Sequence, residues 1–392
     1  ADPIEKSHLI LMPKYATKSD ISMLKNYCYQ AQVDENFELA ESLWIRLLDT
    51  GVDRDAIKAL QKIAIQKEKI EISLHRDDKN FESKDTKAKK NVSIEESEKG
   101  KLFTFEVVKV NSSGSIVNRR QESARQKVED LGNGIKLEMV YIPGGTFIMG
   151  SPENEEERRD DEGPQHNVTV SPFFMGKYPV TQGQWRAIAS QTNLKVKLDL
   201  NPEPSRFTES YQDIDRWQRP VEQVMWIEAV EFCERLSKLT GKDYRLPSES
   251  EWEYACRAGT TTPFYFGETI TPELVNYNGD HVYGKSSKGE NRGETTPVGQ
   301  FPPNVFGLYD MHGNVYEFCQ DVYHYNYNEA PTDGSAWEIE GESDSNPRVS
   351  RGGSWFFVPW RCRSALRNLY DSDVTDDGFG FRLVSFPPRT LK

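Results

Sequence analysis

Cysteines and histidines are the residues of this chain whose chemistry could include thiol redox reactions or soft-metal binding. The cysteines are odd in number and lack CxxC spacing, and no two histidines lie at metal-ligand spacing in the sequence. That pattern predicts reduced, mostly buried thiols in a cytosol-like compartment, and neither a disulfide framework nor a zinc site. The residues are Cys28, Cys233, Cys256, Cys319 and Cys362, with His8, His75, His166, His281, His312 and His324.

The segment from Arg351 to Arg382 has regular ends and an irregular interior. It opens with the sequence Arg-Gly-Gly-Ser-Trp and closes with Gly-Phe-Arg, and glycines of this kind permit close backbone approach. Residues 366–378 follow neither the strand period nor the helix period and mix Leu, Tyr, Asp, Val and Thr. Scaffold-like ends around an arbitrary interior favour a displayed binding surface over a core or a catalytic site.

Large apolar side chains in this segment are predicted to lie exposed as one patch, because they sit among aspartates without strand alternation. Tyr and Trp in such a patch give large contact area at low side-chain entropy cost. The predicted patch comprises Phe356, Phe357, Trp360, Leu366, Leu369 and Tyr370. The predicted scaffold that holds it comprises Arg351, Gly353, Trp355, Arg363, Ser364, Ala365 and Arg382.

Charge and hydropathy limit the classes of partner. The net charge of −13 and the sequence pI near 5.2 argue against nucleic acid or an anionic membrane, because both need a basic footprint. No apolar run approaches the roughly 18 residues of a membrane helix, and no signal peptide is recognisable. We therefore expect a cytoplasmic protein with no nucleic-acid or membrane partner.

Three regions differ in composition. Residues 1–75 show helical spacing of apolar residues, broken at Asp-Thr-Gly 49–51, and predict a small all-α module that docks a protein partner or oligomerises. Residues 76–101 are rich in Lys, Asp, Glu and Ser and predict a charged flexible linker. Phe103, Phe105 and Val107 alternate with polar residues and predict the first strand of a domain spanning residues 102–388.

That domain is predicted to be loop-rich and of the α+β class. Thr181 with Gln184, and Ser248 with Glu251, have the spacing of capping boxes at helix starts. Residues 228–239 have the apolar spacing of a third helix. Elsewhere Gly, Pro, Asn and aromatic residues dominate, which indicates turns and irregular structure that often depend on bound ions.

Five motifs in fixed order carry a family resemblance. The chain resembles the formylglycine-generating enzyme (sulfatase-modifying factor) family, whose domain has a C-type lectin fold. The motifs are MVYIPGGTFIMGS at 139–151, PVTQGQW at 179–185, RLPSESEWEYA at 245–255, GLYDMHGNVYEF at 307–318, and the RGGSW to GFR frame at 351–382. The resemblance implies a C-type-lectin-like domain preceded by the helical module.

The last frame is also similar to the variable proteins of diversity-generating retroelements, which display a mutable ligand-binding surface on this fold. Their randomised Asn codons cannot yield Lys, Glu, Gln, Met or Trp, and the matching positions here hold none of these. This resemblance implies a non-catalytic binding protein with a variable segment at 355–379 and a ligand, expected to be a protein, whose identity stays open. The matching positions are Phe356, Phe357, Val358, Leu366, Asn368, Leu369, Tyr370, Asp371, Val374, Asp376, Asp377 and Gly378. Trp360 falls outside the codon set and is either fixed or drawn from another template codon.

The enzymes of the family imply an alternative function. Formylglycine-generating oxidases bind copper through two cysteines after the Gly-Gly-Ser frame, whereas this chain has only Cys362 there. Because copper(I) is selected by paired soft ligands, we expect no copper and no oxidase activity. The related iron-dependent sulfoxide synthases need clustered histidines. A copper-dependent oxidase, a catalytically dead regulatory member and an ordinary domain with a drifted loop remain the alternatives, and turnover of a cysteine-containing peptide with copper would establish the first.

The family resemblance also implies structural calcium. The matching ligands are the carboxylates of Asp310 and Glu317 and the carbonyl groups of Gly313 and Val315, and hard oxygen ligands are those that calcium prefers. The alternative is that Asp310 and Glu317 cap turns or pair with arginine. A second family site begins at Asn276 and Tyr277, but Glu290 and Arg292 depart from the expected ligands.

Overall fold

A computed structural model describes residues 99–339 and 346–386. The predicted helical module at 1–75 and nearly all of the predicted linker at 76–101 lie outside these residues, as do positions 387–388 of the predicted domain. The described part mixes strands with few helices. It therefore has the mixed helix and strand content predicted for the domain.

A six-stranded antiparallel sheet forms one face of the domain, in the order β1-β2-β3-β6-β12-β7. The predicted first strand is confirmed: Phe105 and Val107 are buried while Thr104 and Glu106 are exposed, and Val108 is buried as well. The alternation places one face of β1 against the domain. The strands are β1 Lys101–Val110, β2 Ile116–Asp130, β3 Lys136–Ile142, β6 Phe173–Gly176, β7 Tyr244–Arg245 and β12 Val384–Ser385.

Three α-helices lie in the described part, and the sequence predicted each of them. Helix α1 (Gln182–Ala189) begins at the Thr181 capping box, and α3 (Glu249–Arg257) begins at the Ser248 capping box. Helix α2 (Trp226–Thr240) ends at Gly241, which has a left-handed backbone with φ of 69°. Helices α1 and α2 face each other through Trp185 and Phe232, whose rings stack at 5.4 Å.

A smaller four-stranded sheet carries the C-terminal segment. Its order is β10-β9-β8-β11, in which β11 runs parallel to β8 and the other pairs are antiparallel. The strands are β8 Tyr316–Val322, β9 Arg348–Arg351, β10 Asn368–Tyr370 and β11 Phe379–Phe381, and a separate hairpin pairs β4 Gly145–Met149 with β5 His166–Val170. The chain thus leaves this sheet after β9, returns as β10, leaves again and returns as β11.

The cysteines of the described residues are buried free thiols, which confirms the prediction for Cys233, Cys256, Cys319 and Cys362. Cys28 lies outside the described residues. No helix within 99–339 and 346–386 has both the length and the apolar character to cross a bilayer.

Candidate ligand-binding surface

Two glycines direct the chain out of the small sheet. Gly352 and Gly353 follow β9 with φ values of 98° and 74°, a left-handed backbone that other residues adopt only with strain. A Cβ atom on Gly353 would lie 2.5 Å from Cys362 Sγ. Glycine is therefore required where the segment begins.

Four arginines fix the segment from below. Each is fully buried, and each pairs with a buried glutamate from another part of the chain, so the charges compensate one another inside the protein. The pairs of Arg363, Arg367 and Arg382 are bidentate, which holds both partners in one geometry. The pairs are Arg351–Glu253, Arg363–Glu162 at 2.5 Å, Arg367–Glu249 at 2.7 Å and Arg382–Glu317 at 2.7 Å.

A series of aromatic ring contacts leads from the core to the surface. Phe379 stacks on Tyr370 at 3.9 Å and on Tyr316 at 4.9 Å. Tyr316 then meets Phe357 at 5.3 Å, and Phe357 meets Phe356 at 5.4 Å. Phe356 is 60% exposed, whereas Phe357 and Tyr370 are half-buried. Phe356 is thus the exposed end of this series, which begins in the core.

The other predicted binding residues fall into three groups. Leu369, Asp371, Val374 and Asp376 are exposed, and Val358, Trp360, Asn368 and Asp377 are half-buried. We call the exposed and half-buried set the display surface: Phe356, Phe357, Val358, Trp360, Asn368, Leu369, Tyr370, Asp371, Val374, Asp376 and Asp377. Leu366 and Gly378 make up the third group, which is buried.

Leu366 corrects the expectation that all the large apolar residues of the segment are exposed. Its side chain has no solvent exposure and belongs to the core cluster that contains Phe318, Phe379 and Phe381. Residues 366–378 are mostly loop, so their apolar residues follow no strand or helix period. The absence of a period therefore does not tell a buried side chain from an exposed one. The neighbouring Arg367, which the sequence did not single out, is held in place by Glu249.

A loop far away in sequence borders the display surface. Arg206 forms an ion pair with Asp377, and the ring of Phe207 packs edge-on against Trp355 at 5.3 Å. Glu222 holds this loop, because its carboxylate accepts the backbone N–H groups of Arg206 at 2.9 Å and Phe207 at 3.1 Å. Sequence reasoning missed these residues, and no local pattern marks them.

A second loop, which contains Asn278 and His281, also contacts the display surface. The backbone N–H of Asn278 donates to the carbonyl oxygen of Phe357 at 2.9 Å. The rings of His281 and Trp360 meet edge-on at 6.2 Å. Two loops far away in sequence thus contact the display surface.

The five motifs lie in a domain that matches a known family. The profile of the sulfatase-modifying factor enzyme 1-like domain matches residues 126–386. The chain belongs to this family. All of the display surface lies within the matched residues, so it is part of the family domain.

Two proteins similar in sequence to this chain illustrate the sulfatase-modifying factor relationship. PvdO from Pseudomonas aeruginosa is 38% identical with a TM-score of 0.55, over 66% of this chain and 98% of PvdO. The serine/threonine-protein kinase Pkn1 of Chlamydia trachomatis serovar L2 is 31% identical over 68% of this chain. The chain spans 41% of the length of that chlamydial relative.

A third comparison concerns the fold alone. Treponema denticola variable protein 1 has a TM-score of 0.54 at 24% identity, over 67% of this chain and 99% of that protein. The backbone arrangement of this sulfatase-modifying factor domain is therefore shared with a variable protein.

The thiols of this family member do not fit a two-thiolate copper site. Cys362 is fully buried, and burial raises the pKa of its thiol above the ordinary value. Cys256, from α3, lies under the same segment, and burial raises the pKa of its thiol to about 12. The nearest partners of Cys256 Sγ are Ser364 Oγ at 3.6 Å, the carbonyl oxygen of Met311 at 3.8 Å and His312 Nδ1 at 3.9 Å. The segment after the Gly-Gly-Ser frame thus supplies one cysteine, whereas copper(I) is selected by paired soft ligands.

The residues implied for the first calcium site fit the ion only in part, because Asp310 has a free carboxylate oxygen whereas Glu317 pairs with Arg382, as the alternative expected. Asp310 is buried, its Oδ2 accepts the Gly299 N–H at 2.7 Å, and its Oδ1 has no hydrogen-bond partner. Glu317 accepts three hydrogen bonds, two from Arg382 and one from Trp252, which leaves one of about four acceptor positions. With the carbonyl groups of Gly313 and Val315, these oxygens would hold a calcium ion, which would supply positive charge beside Asp310.

The second implied site is less suited to calcium. Asn276 is fully buried and its Oδ1 has no partner, while Tyr277 is buried with its hydroxyl directed to the carbonyl of Ile270. Glu290 is exposed and pairs with Arg292 at 3.2 Å. The guanidinium brings a positive charge to the position where the family has ligands, so only Asn276 contributes a free side-chain oxygen.

Calcium is expected to raise the melting temperature at neutral pH through Asp310. Burial raises the pKa of Asp310 to about 6 from 3.8. Without a cation, the stability contributed by this group is present below pH 3.8 and is lost as the pH rises through about 6. A shift of this size corresponds to about 3 kcal/mol, which a bound cation would offset.

The measurement is thermal unfolding of chelator-treated protein with and without calcium, near pH 4 and near pH 7. Calcium should stabilise the parent at the higher pH and leave Asp310→Asn, which keeps an acceptor for Gly299, unchanged. An equal response of the parent and Asp310→Asn would assign calcium binding to another place.

Proposed function

We propose that this protein binds a protein ligand without catalysing a reaction, and that the display surface is the binding site. One observation carries the proposal: Phe356 is the exposed end of a series of aromatic ring contacts that reaches the buried Tyr316 and Phe379, which pair across β8 and β11. A rigid aromatic side chain held at the surface gives contact area with little loss of entropy on binding.

Two further features support the same function. The segment combines a glycine-containing frame at its ends with exposed residues of mixed chemistry between them, which resembles the variable proteins of diversity-generating retroelements. The likeness in fold to Treponema denticola variable protein 1 agrees with this resemblance. The enclosed thiols of Cys256 and Cys362 favour a binding role over the family's copper-dependent oxidation.

Phe356→Ala is expected to abolish ligand binding while leaving stability nearly unchanged. The side chain is mostly in water, so its loss should change the free energy of unfolding by less than about 0.5 kcal/mol. A binding hot spot at the same position is worth about 2 kcal/mol or more, which corresponds to about thirtyfold in affinity. The probe is a set of random linear peptides displayed on phage and selected on the full chain, followed by titration of the enriched peptides.

Tyr325→Ala is the matched control, because Tyr325 is 80% exposed and lies outside the display surface. It should leave both peptide affinity and melting temperature unchanged. If the selected peptides bind Phe356→Ala as tightly as they bind the parent, the display surface is not the binding site.

A further inference from the structure

The charges of the display surface, and of Asp373 beside it, are unevenly compensated. Asp371, Asp373 and Asp376 are exposed, and within the described residues none of them belongs to an ion pair. Asp377 differs, because Arg206 neutralises it. Arg361, the remaining half-exposed cation of the segment, lies at the aromatic end against Phe357 and Asn368. The loop between β10 and β11 therefore presents uncompensated negative charge.

Apolar side chains are interleaved with these carboxylates. Leu369 is 41% exposed and Val374 is 43% exposed, and both lie within three residues of Asp371 in sequence. An exposed apolar patch on a soluble domain is often a site of association. The surface thus offers apolar contact and negative charge in one place.

A buried hydroxyl beneath the acidic loop has an unused hydrogen-bonding capacity. Ser354 is fully buried, and its Oγ has no partner among the described residues. A Cβ atom on Gly378 would lie 2.8 Å from this Oγ and 3.2 Å from Asp376 Oδ1, so glycine leaves space between the two oxygens. The hydroxyl itself is enclosed, so the carboxylates that a ligand can reach are the exposed ones of the loop.

We propose that the occupant of the display surface is a protein segment that presents a lysine or arginine next to an apolar side chain. This inference rests on the proposed function and specifies the partner. The cation would meet Asp371 and Asp373, and the apolar side chain would pack on Phe356, Leu369 or Val374. Opposite charges brought together in a partly desolvated interface favour the matched partner and repel acidic ones.

A selection with reversed charges tests the inference on the full chain. Random peptides displayed on phage are selected in parallel on the parent, on Asp371→Lys/Asp373→Lys and on the control Glu153→Lys/Glu329→Lys. The control changes two exposed glutamates outside the display surface and produces the same change in net charge. Parent and control should enrich Lys and Arg, whereas the reversed variant should enrich Asp and Glu. Parent-selected peptides should bind the reversed variant at least about tenfold more weakly.

The outcomes separate this inference from the function on which it rests. Peptides that lose affinity for Phe356→Ala but show no preference for Lys or Arg would overturn the charge inference and leave the binding site in place. Peptides that bind all variants equally, or a selection that yields none, would overturn both. Binding to a glycan array that is lost in Phe356→Ala, without peptide binding, would replace the protein partner with a carbohydrate.

Discussion

Replacing Arg382 by alanine is expected to lower the free energy of unfolding by about 3–5 kcal/mol, enough to unfold much of the domain population. Arg382 Nη2 and Nε donate to the two carboxylate oxygens of Glu317 at 2.7 and 2.9 Å, and both side chains are buried. The guanidinium also donates to the carbonyl groups of Gly176 and Tyr309. Alanine would leave a buried carboxylate and two carbonyl groups without these partners.

Chemical denaturation of Arg382→Ala and of Arg119→Ala provides the measurement and its control. Arg119 pairs with Glu106 at the surface, where both side chains are about half exposed. Solvent screens such a pair, so its loss should cost less than about 1 kcal/mol. A similar small cost for Arg382→Ala would mean that the buried pairs do not hold the segment.

The same leucine-to-alanine change should have opposite consequences at two positions three residues apart. Leu366→Ala is expected to lower the free energy of unfolding by about 2–5 kcal/mol, because the side chain is fully buried in the core cluster and its removal leaves a cavity. Leu369→Ala should change stability by less than about 0.5 kcal/mol, since the side chain is 41% exposed. Leu369→Ala should instead weaken binding of the selected peptides.

Thermal and chemical unfolding of the two variants, with peptide titration on the same samples, checks both effects. The two substitutions remove identical atoms, so the difference between them reflects the two environments, including the position of Leu369 in β10. A stability loss of several kcal/mol for Leu369→Ala would place that residue in the core and remove it from the display surface.

Short-range features of the fold were predictable from the sequence. The capping boxes at Thr181 and Ser248 are satisfied within four residues, so their residue types are sufficient to start a helix. Cysteine spacing predicted the buried thiols for a similar reason, because an isolated cysteine behaves as a small apolar residue. The family motifs predicted the mixed fold because all five occur along the chain in the order that the family has.

Long-range features were not predictable in the same way. Arg206 and Glu222 lie far in sequence from Asp377 and the rest of the display surface, and no periodic pattern links them. Their contacts form only once the sheets are assembled. Leu366 shows the same limit, because its burial depends on β8 and β11 meeting beneath it. The frame of the site was thus visible in the sequence, whereas its two bordering loops were not.

The short β10 strand limits the pairing of sheet edges between copies of this chain. β10 is the terminal strand of the small sheet, and it is only three residues long. Terminal strands with exposed apolar residues such as Leu369 invite a strand from another molecule to pair with them. Here Asp371 follows directly and the chain turns away, so the strand ends before a stable ladder can form. The charge of Asp371 and the short length of β10 together oppose edge-to-edge pairing at this exposed apolar surface.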